Sequence, residues 1–151
     1  MNRFIPVVIS SFQPSDQEEV KDLILNGLAE HWGTLDLTMN PDLNDIMKTY
    51  FKDVFLVARL EKRIVGTGAL VHRTDEYAEI VRMSVAKDIR RQGVGNLILG
   101  QLIATAVEKG YQRVILETTH TWKEVIAFYI ESGFTITHEQ DGDVYFEKVL
   151  T

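Results

Sequence analysis

The stretch Glu79-Ile80-Val81-Arg82-Met83-Ser84-Val85, with Arg90-Arg91-Gln92-Gly93-Val94-Gly95-Asn96 close behind it, decides how this chain folds. The first run reads as a strand. From about Gly95 to Lys109, Leu99, Leu102, Ile103 and Ala106 share one face of a helix, and Gly110 supplies its stop signal. Val114-Ile115-Leu116 then reads as a buried strand. Strand, helix and strand in succession predict a right-handed parallel crossover.

Working outward, Val54 to Ala58 and Ile64 to Val71 flank the polar turn Glu61-Lys62-Arg63 and predict a hairpin. Phe134 to His138 and Val144 to Val149 flank Asp141-Gly142, a strong hairpin-turn dipeptide. A helix from about Trp122 to Glu131 places Trp122, Ile126, Tyr129 and Ile130 together. Toward the N-terminus, Val7 to Ser10 is a short strand, and Ser15 with Glu18 has capping-box spacing for a helix from Asp16 to about His31. Asn40-Pro41 opens a second helix carrying Leu43, Ile46, Met47 and Tyr50. The hairpins on either side of the crossover predict an α/β protein with a mixed, mostly antiparallel central sheet flanked by helices.

Composition bounds the answer. The 151 residues make one domain, 1–151, with 45% hydrophobic and 25% charged residues, a balance that excludes disorder. Asp and Glu number 22 against 16 Lys and Arg, a net charge of −6, which argues against a nucleic-acid partner gripped by bulk charge. Cysteine is absent, so no disulfide or thiolate metal site exists. No signal-like N-terminus and no apolar run of membrane-spanning length is present, so the expectation is a cytoplasmic protein without a membrane partner. His31, His72, His120 and His138 show no paired metal-ligand spacing, and no metal is expected.

The segment with chemistry in it is Arg90 to Asn96, between strand and helix. A helix start exposes unpaired N–H groups and the positive end of the macrodipole. Glycines there let a pyrophosphate approach those amides, and Arg90 or Arg91 adds charge. A dinucleotide fingerprint would need a small residue where Ile98 stands, and the Gly-Lys-Ser/Thr of a Walker loop is missing. By itself Gly-x-Gly also occurs at ordinary helix caps.

Arg90-x-x-Gly93-x-Gly95 resembles the pyrophosphate signature of the GCN5-related N-acetyltransferases, the GNAT superfamily. The preceding Ala78 to Ala86 is similar to that family's central strand. Ala127-Phe128-Tyr129-Ile130-Glu131-Ser132-Gly133-Phe134 resembles its second motif, a helix with Tyr ahead of Gly-Phe. The likeness covers roughly Val54 to Val149, while the first fifty residues match only in layout. Many members carry Asn seven residues before the helix Tyr. Here that position is Trp122, with His120 and Thr121 nearby as replacements.

The resemblance implies a GNAT fold in which acetyl-CoA, as co-substrate, enters a cleft beside the central strand. Main-chain groups of Met83, Ser84 and Val85 would hold the pantetheine and polarise the thioester. Arg90, Arg91, Gln92, Gly93, Val94, Gly95 and Asn96 would take the pyrophosphate, with His120 and Tyr129 also near the cofactor. Tyr129 would be the general acid toward the leaving thiolate, and Glu79 a base acting directly or through water. Arg82 would orient Glu79 or extend to solvent. The acceptor implied is a small-molecule or peptide amine, and the family allows a homodimer. Asp36, Asp42 and Asp45, with Glu139, Asp141 and Asp143, are the acidic residues that could attract a cationic acceptor, though ordinary surface acidity and a hairpin turn are the favoured reading of them. The implied activity is N-acetyl transfer, and the alternative is a non-catalytic acyl-CoA-binding sensor or scaffold.

Overall fold

The computed structural model describes residues 6–33 and 39–150; Asp36 and the side chain of His31 lie outside the described residues. Seven strands form one sheet in the order β1-β2-β3-β4-β5-β7-β6. They are β1 (Val7–Ser11), β2 (Val54–Leu60), β3 (Arg63–His72), β4 (Tyr77–Val85), β5 (Arg113–Thr119), β6 (Thr135–Gln140) and β7 (Asp143–Val149). Neighbours are antiparallel except β4 and β5, which run parallel as the crossover requires. The mixed, mostly antiparallel sheet read from the sequence is the observed one.

Helix α1 (Gln17–Trp32) follows a 3₁₀ turn, Pro14–Asp16, and its entry is not the Ser15/Glu18 capping box. Instead the Asp16 carboxylate accepts from Gln13 N–H at 2.9 Å and pairs with Arg59 on β2. The second helix is shorter than its apolar spacing predicts. Pro41–Asn44 is a 3₁₀ turn, and α2 (Ile46–Tyr50) begins only after Asp45, whose side chain accepts from Lys48 N–H at 3.1 Å. Asp45 is thus engaged as a cap.

Strand alternation divides the core between the two faces. Phe55, Val57 and Ala69 pack under α1 and α2 with Val20, Ile24, Leu43 and Ile46. Leu56, Leu70, Ile80 and Leu116 pack under α3 (Val94–Glu108) and α4 (Lys123–Glu131) with Ile98, Leu102 and Tyr129. Gly68 makes the close approach of α3 possible. A Cβ there would lie 2.6 Å from Met83 Sδ and 2.7 Å from Ile98 Cγ2. No helix of the described residues is long and apolar enough to cross a membrane.

Candidate active site

The site is built from a strand that loses its neighbour. β4 and β5 pair only at Tyr77↔Arg113, Ala78↔Val114 and Glu79↔Ile115. Beyond Glu79 the two strands separate, although β5 stays paired with β7 along its whole length and β4 with β3 as far as Val85. The N–H and C=O groups of residues 81–85 that point away from β3 therefore have no strand beside them. Such groups need a partner, whether water or ligand.

The open half of β4 is also bulged. Its register with β3 jumps from Ala69↔Val81 to Thr67↔Ser84, and Arg82 has φ +57°. A bulge bends its strand and terminates or redirects pairing, here beside the opening. Thr67, wholly buried, donates its hydroxyl to the Arg82 carbonyl at 2.8 Å.

β4 leads through the 3₁₀ turn Lys87–Ile89 into the glycine loop. Gly93 caps α3 at φ +90°, a conformation that glycine takes without strain. No atom lies within 4 Å of where its Cβ would be, so the space over the turn is open. The helix ladder starts with Leu97 N–H donating to Gly93 O at 3.1 Å, leaving the N–H groups of Val94, Gly95 and Asn96 ahead of it. Val94 is buried and pins the helix start, and the Phe128 ring lies 3.4 Å from where a Cβ of Gly95 would stand. N–H groups ahead of the helix ladder, the positive end of a fifteen-residue helix and open space over Gly93 fit a pyrophosphate group.

The two arginines are both engaged. Arg90 donates from Nε to the Val85 carbonyl (3.1 Å) and from Nη1 to Glu30 on α1 (2.6 Å). Arg91, at φ +65°, reaches Glu124 on α4 at 3.1 Å with both side chains almost fully exposed. Such an exposed pair is worth little and exchanges readily. Arg91 is thus available to an incoming phosphate, whereas Arg90 shapes the loop. Gln92 and Asn96 are exposed on the same turn.

Tyr129 is 6% exposed, its ring edged by Phe128, Phe134 and Phe146 at centroid distances of 5.2, 5.7 and 5.8 Å. Burial pushes its phenol far above the usual 10. Its hydroxyl has no hydrogen bond among the described residues. No fully buried side-chain oxygen or nitrogen among them lacks a partner, so this hydroxyl reaches the surface.

Glu79 stands at the closed end of β4, where Arg73 Nε donates to it at 2.8 Å. Arg82 does not orient Glu79 and does not extend to solvent. Its guanidinium turns to Asp42, with Nη2 to Oδ1 at 2.6 Å and Nε to Oδ2 at 2.9 Å. His120, just past β5, stays at the rim. Its Nδ1 lies 2.7 Å from Gly142 O in the β6–β7 turn. With Glu139, Asp141 and Asp143 it lines a depression of about 290 Å³. Trp122 meets the Trp32 ring at 5.6 Å, so an aromatic contact joins the start of α4 to the end of α1. Sequence reasoning missed the pairings of Arg82 with Thr67 and Asp42 and of Arg90 with Glu30, which span 15, 40 and 60 residues, and the nearer ones of Glu79 with Arg73 and of Asp42 with Tyr50, six and eight residues apart.

The fold that carries this opened sheet and glycine-capped helix start recurs in solved structures. The fold is similar to that of a GNAT-family acetyltransferase from Staphylococcus aureus, with TM-score 0.88, 22% identity, and 96% of this chain and 99% of that one covered. It is similar also to the PaiA N-acetyltransferase of Thermoplasma acidophilum in complex with coenzyme A, with TM-score 0.84, 17% identity and coverage of 95% and 98%.

The model of the Acetyltransferase (GNAT) family matches residues 18–134, and the chain belongs to that family. Among curated proteins it is 30% identical over 111 residues to human N-acetyltransferase 8, covering 68% of this chain and 49% of that protein. It is 31% identical over 104 residues to human N-acetylaspartate synthetase, covering 66% and 34%. It is 27% identical over 144 residues to the uncharacterized N-acetyltransferase YjgM of Escherichia coli, covering 89% and 86%. The chain spans about half the length of the human N-acetyltransferases 8 and 8B that it matches.

Proposed function

We propose that the chain transfers the acetyl group of acetyl-CoA to a primary amine by direct attack within a ternary complex. The observation that carries this reading is the divergence of β4 from β5 after Glu79, beside the open, glycine-capped start of α3. Free backbone groups and a helix N-terminus lie one after the other along the chain, in the order that a pantetheine arm and its pyrophosphate demand.

In the reaction the amine nitrogen bonds to the thioester carbonyl carbon and the C–S bond breaks. The nitrogen gives up one proton and the sulfur ends with one, so amide and free thiol are the products. A backbone N–H of the 82–85 stretch polarises the carbonyl; removing one such donor from a catalytic site costs about 10²–10³-fold in rate. Val94, Gly95 and Asn96 N–H groups, with Arg91, take the pyrophosphate charge. Gln92 and Gly93 shape that turn.

Tyr129 serves the departing sulfur. Its burial keeps the phenol protonated throughout the working range. A phenolate formed there would be a stronger base than a thiolate, since a thiol ionises near 8.5. The group therefore acts first as a hydrogen-bond donor to charge developing on sulfur. Glu79 receives the amine proton through water. At about 3.3 Å per residue its Cα is about 13 Å along β4 from Met83, too far for direct contact with the thioester.

The test combines calorimetry with thiol release across a panel of amines. Tyr129→Phe is expected to keep acetyl-CoA affinity within about three-fold and to lower kcat by about 10²-fold or more. An unchanged kcat would remove Tyr129 from this role. Intact acetyl-CoA binding with no thiol released by any amine would replace transfer by the sensor or scaffold reading.

A further inference from the structure

We infer that Asp42 and Tyr50 are positioning residues that aim the thioester-polarising backbone by bracing Arg82 in the β4 bulge. The inference rests on the acetyl-CoA reading of the cleft and adds two residues to it. Arg82 has φ +57°, a region that non-glycine residues occupy only when their surroundings force it. That force comes from two sides. Thr67 Oγ1 holds the Arg82 carbonyl at 2.8 Å from within the sheet. Asp42 holds the guanidinium through two parallel bonds of 2.6 and 2.9 Å, a geometry that fixes direction as well as distance.

Asp42 is itself held. Tyr50, the last residue of α2, donates its hydroxyl to Asp42 Oδ2 at 2.6 Å, and Asn40 Oδ1 accepts from Arg82 Nη2 at 3.2 Å. Arg82 and Asp42 are each about four-fifths buried, so the contact is shielded from the screening that weakens surface pairs. The chain of bonds runs from α2 through Asp42 and Arg82 to the peptide that precedes Met83, at the open half of β4. A shift of that peptide would misdirect every N–H that follows it in the strand. Misplacement by about 1 Å costs up to about 10²-fold in rate.

The test uses the whole chain and acetyl-CoA carrying ¹³C at the thioester carbonyl. In the wild-type complex, hydrogen bonding to the carbonyl oxygen should move the ¹³C signal downfield of free acetyl-CoA. Asp42→Asn should lose about half or more of that displacement, with Tyr50→Phe and Thr67→Val losing less. With a competent amine, kcat should fall about ten-fold in Asp42→Asn, while KM for acetyl-CoA stays within about two-fold. Glu19→Gln loosens a different tie between α1 and the sheet, the 2.8 Å bond from Ile64 N–H. It should leave the carbon signal in place, separating general loosening from loss of aim. If Asp42→Asn does not fold, Tyr50→Phe, which removes one oxygen atom, decides the matter. A displaced wild-type signal that the variants leave unmoved would overturn the inference alone. Failure of the wild type to bind acetyl-CoA would overturn the reading of the cleft and the inference with it.

Discussion

β4 has two unlike halves. At Ala78 and Glu79 it is paired on both sides, antiparallel to β3 and parallel to β5. From Val81 to Val85 it is paired on one side only, and it carries a bulge at a strained arginine. The closed half is held by its own backbone ladder and by wholly buried neighbours such as Ala78 and Val114. The open half is held by side chains brought from elsewhere: Thr67 on the Arg82 carbonyl, Asp42 on its guanidinium, Arg90 on the Val85 carbonyl. Where a ladder stops, backbone groups become available to a ligand, and side chains must then supply the rigidity that the missing strand would have given.

The contrast is broken most severely where the open half delivers into α3. Gly93→Glu places a carboxylate over the turn proposed to take the pyrophosphate. Like charges at about 4 Å repel by about 4 kcal/mol near a protein surface, so affinity for acetyl-CoA should fall by about 10²–10³-fold. A glutamate at φ +90° adds about 1–3 kcal/mol of strain, which lowers the melting temperature by several degrees without unfolding the chain. Calorimetry with acetyl-CoA and a thermal melt check both parts. Normal binding by a folded Gly93→Glu protein would show that the open half leads to no phosphate site.

The closed half should behave in the opposite way. Val114 is wholly buried beside Ala78 at the last paired stretch of β4 and β5. Val114→Ala removes two methyl groups and leaves a cavity, a cost of about 2 kcal/mol. Denaturant unfolding should register that loss while acetyl-CoA affinity stays within about two-fold. A large loss of affinity would mean that the closed end sets the width of the cleft, and that the two halves are not independent.

The halves also differ in how far the sequence discloses them. The strands and helices around Glu79 to Leu116 follow from apolar spacing, because a buried strand and an amphipathic helix write their periods into neighbouring residues. Gly93 and Gly95 mark the helix start for the same local reason. The bulge at Arg82 leaves no such trace, since nothing in the run Val81-Arg82-Met83-Ser84 demands a positive φ. Its supports lie 15 residues away at Thr67 and 40 at Asp42, separations that no local pattern encodes. The same limit explains the misread entry to α1. Ser15 and Glu18 have the right spacing, but Asp16 is drawn to Gln13 and to Arg59, 43 residues on, and the helix begins at Gln17, one residue late, behind a 3₁₀ turn. Asp42 looked like surface acidity or a draw for a cationic acceptor, and only the fold reveals that its charge is already matched.

That matching has a pH signature, the smallest of the three effects. Burial raises the Asp42 carboxyl, but the Arg82 and Tyr50 hydrogen bonds and the charge of Arg82 outweigh it and hold the group below the ordinary 3.8. A depressed carboxylate contributes stability above its unfolded value and loses it as pH falls through the folded one. Tyr50 has the opposite sign. Burial first, then the bond to Asp42 and its charge, push the phenol up from 10 to about 12. The folded state keeps that proton more tightly than the unfolded chain, so the contribution is complete below about 10 and is lost as pH climbs toward 12. The stability difference between wild type and Tyr50→Phe should therefore be flat from about pH 5 to about pH 9 and narrow at both extremes. Phenolate absorbance offers the direct check. Tyr50→Phe should delete a phenol that ionises near 12, and Asp42→Asn should bring that phenol down toward 10. If Tyr50 already ionises near 10 in the wild type, the chain from α2 to the bulge is not formed in solution, and the open half of β4 is held from within the sheet alone.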